Sequence, residues 1–106
     1  MAVPQTVKRG RFTTGAKGTV TTVELGFKPS VLITFVANTY NLLRMYDSEF
    51  STLYQITASF SGDLATDSYA LPNTNEGAIN SITNTGFTFN GSSDTSKRER
   101  VYIAIS

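Results

Sequence analysis

The chain has 106 residues, which allow one domain with a sizeable hydrophobic core and leave no room for a second. Only 16% of the residues are charged, the formal net charge is +1 and 40% are hydrophobic, a balance that argues against intrinsic disorder. Cysteine and histidine are both absent from the sequence, which excludes disulfides, zinc sites built on Cys or His, and Ser-His or Cys-His nucleophiles.

The N-terminus lacks the apolar segment of a secretion signal, because residues 1–4 lead directly to Lys8, Arg9 and Arg11. The longest apolar stretch, residues 31–37, is about a third of the length that a membrane-spanning helix needs. We therefore expect a protein that is made in the cytoplasm and has no membrane partner.

The first quarter of the chain predicts two strands. Residues 6–14 and 19–25 are rich in β-branched side chains, and the glycines of the intervening segment 15–18 predict a turn that joins the two strands as a hairpin. Gly26 then bends the chain, and Pro29 is expected at the start of a strand because it has no amide hydrogen to donate to a ladder.

Residues 30–37 predict a central strand that is apolar on both faces. Three apolar side chains alternate on one face and two on the other: Val31, Ile33 and Phe35 against Leu32 and Val36. Two apolar faces indicate burial on both sides, one by a second sheet and the other by a further body such as a neighbouring subunit.

The remainder of the chain also reads as short strands. Residues 41–47 and 52–60 predict a second hairpin across Ser48 and Glu49, with a short helix over 40–45 as an alternative. Residues 61–76 predict a loop with one short strand around 69–71. Strands are expected at 77–83 and 87–90 around an 84–86 turn, followed by a polar loop over 90–100 and a closing strand over 101–106.

Together these segments predict an all-β fold, an antiparallel β-sandwich of about six to eight short strands. We expect a single sandwich domain over residues 12–106. Residues 1–11 are expected to form an N-terminal arm and the start of the first strand.

Two pairs of carboxylates lie close together in the sequence and are the candidates for a catalytic or metal site. Asp47 and Glu49 flank a predicted turn, where turn stabilisation by Asp47 is the favoured role. Asp63 and Asp67 lack the alternating oxygen ligands of a dedicated calcium loop. The sequence therefore predicts no catalytic residue, no metal ligand and no cofactor, and we do not expect an enzyme.

The charges are unevenly distributed, with basic ends and an acidic middle. Lys8, Arg9 and Arg11 would meet the C-terminal basic residues if the first and last strands are neighbours; those residues are Lys97, Arg98 and Arg100. Such a cluster suits either an anionic partner such as nucleic acid or salt bridges to the acidic middle of a neighbouring subunit. No aromatic residues alternate with these basic ones, so we favour the second interpretation and predict no nucleic-acid partner.

Six aromatic residues lie in the middle third of the chain: Tyr40, Tyr46, Phe50, Tyr54, Phe60 and Tyr69. Tyrosine among Asn, Asp and Ser suits glycan binding, since a sugar offers both an apolar ring face and hydroxyl edges. The alternative is that these rings face the core or a subunit interface. Tyr40 and Tyr69 are the candidate glycan contacts because both are expected in loops.

Four short segments resemble a module found in tail- and head-associated proteins of bacteriophage virions, a module that is itself similar to the H-type lectins. They are the Val-Lys-Arg-Gly segment at 7–10, the Leu-Gly-Phe-Lys-Pro corner at 25–29, the Asn-Thr-Gly-Phe-Thr phrase at 84–88 and the terminal Val-Tyr-Ile-Ala-Ile at 101–105. In order, they span most of the chain.

The resemblance implies a sandwich that assembles with itself as a homotrimer in the virion. It implies contact with other capsid or tail proteins, as a capsid decoration, head fibre or tail-attached accessory protein, and we assign particle attachment to Lys8, Arg9 and Arg11. The alternative that it implies is a lectin-like adhesin of the phage tail that binds a host cell-surface glycan. The module begins at Met1, which favours an accessory or decoration role over the tip of a long fibre.

Overall fold

The computed structural model describes residues 5–37, 42–49, 54–61, 64–95 and 98–106. These residues form nine strands: β1 Val7–Thr13, β2 Val20–Glu24, β3 Val31–Val36, β4 Leu43–Asp47, β5 Tyr54–Ser61, β6 Leu64–Pro72, β7 Ile79–Thr83, β8 Gly86–Asn90 and β9 Glu99–Ile105. The predicted all-β fold is confirmed.

The strands form two antiparallel sheets of unequal size. A six-stranded sheet has the order β1-β9-β3-β4-β5-β6, and a three-stranded sheet has the order β2-β8-β7. The two layers make the predicted antiparallel β-sandwich, with one strand more than the upper end of the predicted range.

The strand β3 lies in the interior of the larger sheet, between β9 and β4. Its side chains alternate as the pleat requires: Leu32 and Val36 are buried together with Thr34, whereas Val31, Ile33 and Phe35 are half-buried. The prediction of a central strand is confirmed, and the burial of its second face by a further body stays a prediction.

Four aromatic rings between the two sheets dominate the core. Phe12 of β1 meets Phe87 and Phe89 of β8 with ring centroids 5.4 and 5.2 Å apart, and Tyr102 of β9 lies 5.8 Å from Phe87. The edge-to-face arrangement of these rings adds about 0.5–1.5 kcal/mol per pair to the free energy gained from burial alone. The first, eighth and ninth strands are thereby fixed to one another.

The predicted hairpin between the first two strands is wrong. β1 pairs along its whole length with β9, and β2 pairs with β8 in the other sheet. The reason is that the intervening turn is bound by the β8–β9 connection: the amide of Thr14 donates to the carbonyl of Arg98, and the amide of Ser92 donates to that of Gly15. The turn therefore carries the chain from one sheet to the other.

The predicted loop over residues 61–76 is wrong over most of its length, because Leu64–Pro72 form β6. This strand pairs only with β5, and the register shifts between Ser59 and Phe60. An edge strand has a single partner, so its sequence can be far more polar than that of a central strand. The other two hairpins, β4–β5 and β7–β8, are confirmed.

The helix considered as an alternative over 40–45 is replaced by strand from Leu43 onward, and residues 40 and 41 lie outside the described part. Across the described ranges, no helix is long and apolar enough to cross a membrane.

Candidate interaction surfaces

The candidate attachment residues lie on β1, at one edge of the six-stranded sheet. Lys8, Arg9 and Arg11 are all exposed, and the predicted arm over residues 1–11 therefore includes five residues of a paired strand. Arg11 Nη1 lies 3.2 Å from Glu99 Oε1 with both side chains more than half exposed, an ion pair that contributes little to stability. The three basic side chains are available to a partner.

The second half of the predicted basic cluster is not on this surface. The first and last strands are neighbours as expected, but Arg100 is only 1% exposed and points into the sandwich. Arg98 is half-buried and donates from Nε to the carbonyl of Ser92 over 3.0 Å. Lys97 lies outside the described residues. A continuous surface of six basic side chains is therefore not formed, since Arg100 belongs to the interior.

Of the two candidate glycan contacts, only Tyr69 has a described backbone position, and it lies in a strand rather than in a loop. Tyr40 lies outside the described residues. The backbone of Tyr69 lies within β6, opposite Thr57, and this strand is much longer than the short one expected around 69–71 within a loop. Tyr46 of the same aromatic series is buried in the core.

The predicted turn role of Asp47 is confirmed, because its Oδ1 accepts a hydrogen bond of 3.0 Å from the amide of Glu49.

The face of the six-stranded sheet that points away from the three-stranded sheet is largely apolar. Its side chains come from four neighbouring strands and pair across the sheet, with Ile33 opposite both Ile103 and Met45, and Met45 opposite Ile56. We call this set the outer apolar face: Val31, Ile33, Phe35, Leu43, Met45, Ile56, Val101, Ile103 and Ile105. Eight of the nine are half-buried, and Ile56 is 36% exposed.

Charged residues of opposite sign flank the outer apolar face. On the β1 side, Arg9 lies opposite Ile103 and Arg11 lies opposite Val101, so both belong to the same side of the sheet. At the end of β4, Asp47 lies opposite Val31 and belongs to that side as well. The outer apolar face thus has a basic margin along β1 and an acidic residue, Asp47, on β4.

Two arginines are buried on the opposite, inward side of the same sheet. Arg44 is 8% exposed, and its guanidinium donates from Nε to the carbonyl of Gly77 over 3.0 Å and from Nη1 to the hydroxyl of Thr57. It thereby connects β4 to β5 and to the segment before β7. Burial first, and the neighbouring charge of Arg44 second, lower the pKa of Arg100 from its usual range to about 9. Arg100 remains a cation at neutral pH.

Sequence analysis missed this arginine pair. The available signal was alternation: Arg100 shares its side of β9 with Tyr102 and Ala104, which are core residues, and Arg44 shares its side of β4 with Tyr46. Alternation with core residues predicts that both arginine side chains point inward. The usual exposure of arginine favours the opposite prediction.

Two cavities of the described structure lie at the end of the sandwich where β8 leads into β9. The first has a volume of about 220 Å³ and is lined by Lys17, Gly18, Thr19, Val20, Thr74, Glu76, Asn90 and Gly91. The second, of about 170 Å³, is lined by Leu42, Arg44, Glu76, Gly77, Ser92 and Arg100. Glu76 separates them, with its carboxylate 3.8 Å from Lys17 Nζ and accepting a 2.8 Å hydrogen bond from Ser93.

Within the part of the chain that the structure describes, no three Asp or Glu side chains are grouped as a metal site would require. Comparison of the chain with protein-family models, with curated proteins and with solved structures gave no match. The resemblance to phage modules and to H-type lectins therefore stays a prediction.

Proposed function

We propose that the protein is a non-enzymatic structural component of a bacteriophage particle, a homotrimer attached to the capsid or the tail. The observation that supports this proposal is the outer apolar face, which extends over β9, β3, β4 and β5 of the larger sheet. The described part of the second sheet packs on the other side, so a partner is needed to bury this one.

The continuity of the outer apolar face supports self-association. Its nine aliphatic, Met and Phe side chains form one continuous patch across four strands, whereas monomeric proteins rarely expose large contiguous apolar patches. Burial of apolar area contributes about 25 cal/mol per Å², so removal of this patch from water is a substantial driving force. The resemblance to phage modules supplies the number of copies, three.

The flanking charges support a cyclic arrangement. In a head-to-tail ring, the β1 margin of one copy lies against a different part of the next copy, so Arg9 and Arg11 would approach the Asp47 of the neighbour. This contact joins a basic end of one chain to the acidic middle of the next, as the charge distribution along the sequence predicts. Complementary charges at the margin of an interface fix its register more than they strengthen it.

Sedimentation analysis of the purified chain tests the assembly. We expect a species of three times the 11.5-kDa chain mass. Ile33→Lys places a charge at the centre of the outer apolar face and is expected to give monomers with an unchanged circular dichroism spectrum. Thr22→Lys adds the same charge to an exposed position of β2 and is the matched control, expected to stay trimeric.

Two results would contradict the assembly. One is a monomeric wild-type protein at micromolar concentration. The other is an Ile33→Lys protein that is folded and keeps the wild-type mass.

A second candidate function is glycan binding as a tail adhesin. It is favoured by the 220 Å³ cavity, whose lining offers hydroxyl, amide, ammonium and carboxylate groups from three separate segments. The test is a glycan array probed with the wild-type protein, with a Thr74→Ala variant of the cavity lining and with Tyr40→Ala and Tyr69→Ala variants. Loss of glycan binding at an unchanged melting temperature would assign the contact to the substituted residue, and full retention by all three variants would remove both the cavity and the tyrosines.

A further inference from the structure

We propose that the Asn90–Gly91 pair is a site of spontaneous modification, where deamidation of Asn90 releases one wall of the cavity of about 220 Å³. This inference is independent of the proposed role in a phage particle. It depends on the chemistry of the Asn-Gly sequence, on the close approach that requires a glycine at position 91, and on the contacts that the Asn90 amide makes.

Asn90 is the one asparagine of the sequence that a glycine follows. In deamidation, the backbone nitrogen of the following residue attacks the side-chain Cγ, and a ring with a new N–Cγ bond forms as the Cγ–Nδ2 bond breaks. The side-chain nitrogen leaves as ammonia and takes the proton that the backbone nitrogen loses. Water then opens the ring at either carbonyl, which leaves aspartate or isoaspartate. Glycine has no side chain to hinder the attacking nitrogen, so this pair is especially prone to the reaction.

The packing of the turn between β1 and β2 requires glycine at position 91. A Cβ there would collide with the backbone carbonyls of Gly15 and Ala16. A bulkier residue, which would slow deamidation, therefore cannot replace Gly91 unless that turn moves.

The side-chain amide of Asn90 holds the connection between β6 and β7, residues 73–78, against the end of β8. Its Nδ2 donates to the carbonyl of Asn73 and to the carbonyl of Asn75, both over 2.7 Å. Both partners are acceptors, so only a group with two hydrogens to donate can make the two bonds. An aspartate at this position can make neither.

The same connection forms one wall of the cavity. Thr74 and Glu76 belong to it and line the cavity together with Asn90 and Gly91. The amide of Gly77 continues the contact, because it donates to the carbonyl of Gly91 over 3.1 Å. The two bonds of Asn90 are therefore among the contacts that keep this wall closed on the end of β8.

The folded structure slows the reaction without preventing it. The amide nitrogen of Gly91 donates to the carbonyl of Thr19 over 2.8 Å, so attack on Cγ requires this bond and the two bonds of Nδ2 to break. These bonds lie where β8 ends, and strand ends open more readily than strand centres. Each hydrogen bond changes such an equilibrium by about fivefold, so we expect deamidation to be about 100-fold slower than in the unfolded chain.

The product cannot restore the closed state. A carboxylate at residue 90 faces two carbonyls that it cannot satisfy, and it adds a second negative charge beside Glu76 in the cavity lining. Isoaspartate also inserts a methylene into the main chain and disturbs the pairing of β8. Deamidation is thus a one-way change that opens this wall.

The first test is a time course of deamidation in the full chain at pH 8, with and without urea, followed by peptide mass spectrometry. In urea, we expect residue 90 to be the first asparagine that gains the mass of an amide-to-acid conversion. In the folded chain, we expect conversion at the same residue to be about 100-fold slower.

The second test measures what the product does to the wall. Asn90→Asp is expected to lower the hydrogen-exchange protection of the Gly77 amide about 10-fold or more, since two hydrogen bonds are lost beside it. Asn84→Asp makes the same chemical change in an exposed turn and is expected to leave that protection unchanged. If Asn90→Asp does not fold, Asn90→Ala removes the two bonds without adding a charge and takes its place.

The proposal is overturned if residue 90 of the folded chain is converted as fast as in urea. It is equally overturned if no conversion occurs there over an incubation long enough for a 100-fold slower reaction. A folded Asn90→Asp or Asn90→Ala protein whose Gly77 amide is as protected as in Asn84→Asp would show that Asn90 does not hold the wall.

Discussion

Two glycines of the corners that flank the core are required for different physical reasons. Gly26 adopts a φ of 86°, in the left-handed region that residues with a Cβ rarely enter. Gly86 has no positive φ, but a Cβ at that position would collide with the backbone carbonyl of Val23 on the paired strand β2. Backbone atoms in a ladder cannot give way as a flexible side chain does.

We therefore expect Gly86→Ala to lower the free energy of unfolding by about 1–3 kcal/mol, the usual cost of an added group that forces backbone displacement. Urea denaturation followed by circular dichroism measures it. Thr85→Ala, an exposed substitution in the same turn, is the control and should change stability little. Equal stabilities of the two variants would show that β2 and β8 separate without cost.

The buried arginines show where residue-level prediction fails. Arg100 was assigned to a basic surface because arginine is usually exposed, yet its register on β9 places it among core residues. The hydroxyl of Thr34 and the carbonyl of Leu42 that accept its hydrogen bonds come from segments 66 and 58 residues away in sequence. No local pattern indicates such partners, so the pair became visible only in the folded structure.

The edge of the three-stranded sheet is closed by one side chain of the other sheet. Gln55 of β5 donates from Nε2 to the carbonyl of Ile79 and accepts from the amide of Ile79 at Oε1, both over 2.8 Å. β7 is an edge strand, and these two backbone groups are the ones that its partner β8 leaves unpaired. The side chain amide thus takes the place of a neighbouring strand.

Gln55→Ala should destabilise the fold by about 3 kcal/mol, because it leaves a buried N–H and a buried C=O without partners at a cost of about 1–3 kcal/mol each. Hydrogen exchange at the Ile79 amide, together with chemical denaturation, measures the effect. Thr22→Ala, on an exposed site of β2, is the comparison. An Ile79 amide that stays as protected as in the wild type would refute the capping role.

At the level of elements, alternation and turn residues predicted where most strands lie but not how all of them pair. The β4–β5 and β7–β8 hairpins were predicted, since both connections are short and local. The partners of β1 and β2 were not, because the amides of Gly91 and Ser92 bind the turn between them. The polar sequence of β6 predicts a loop because it has no alternating apolar pattern. An edge strand does not need such a pattern, and β6 is an edge strand.

For the whole molecule, the main consequence of the topology is the imbalance between its two sheets. Three strands pack on one side of a sheet of six. The other side of the larger sheet is the outer apolar face, with Arg9 and Arg11 on its margin. The proposed trimer and the proposed attachment to a particle share Arg9 and Arg11, so the sedimentation mass of the β1 charge variant is needed to separate loss of attachment from loss of the trimer.

Attachment is expected to depend on the charges of β1. The triple variant Lys8→Gln, Arg9→Gln and Arg11→Gln should lose most of its co-sedimentation with virions while its melting temperature falls little, since these side chains are exposed. The double variant Lys17→Gln and Lys28→Gln removes exposed charges elsewhere and should still attach. Attachment of the triple variant at the wild-type level would contradict this assignment.

The most direct test of the proposed function is electron microscopy of intact virions labelled with gold-conjugated antibodies against this chain. We expect label on the particles. Label over the whole head would identify a decoration protein, and label confined to the tail would identify a tail-attached protein. Particles without label, from cells that produce the chain, would contradict the proposal of a virion structural protein.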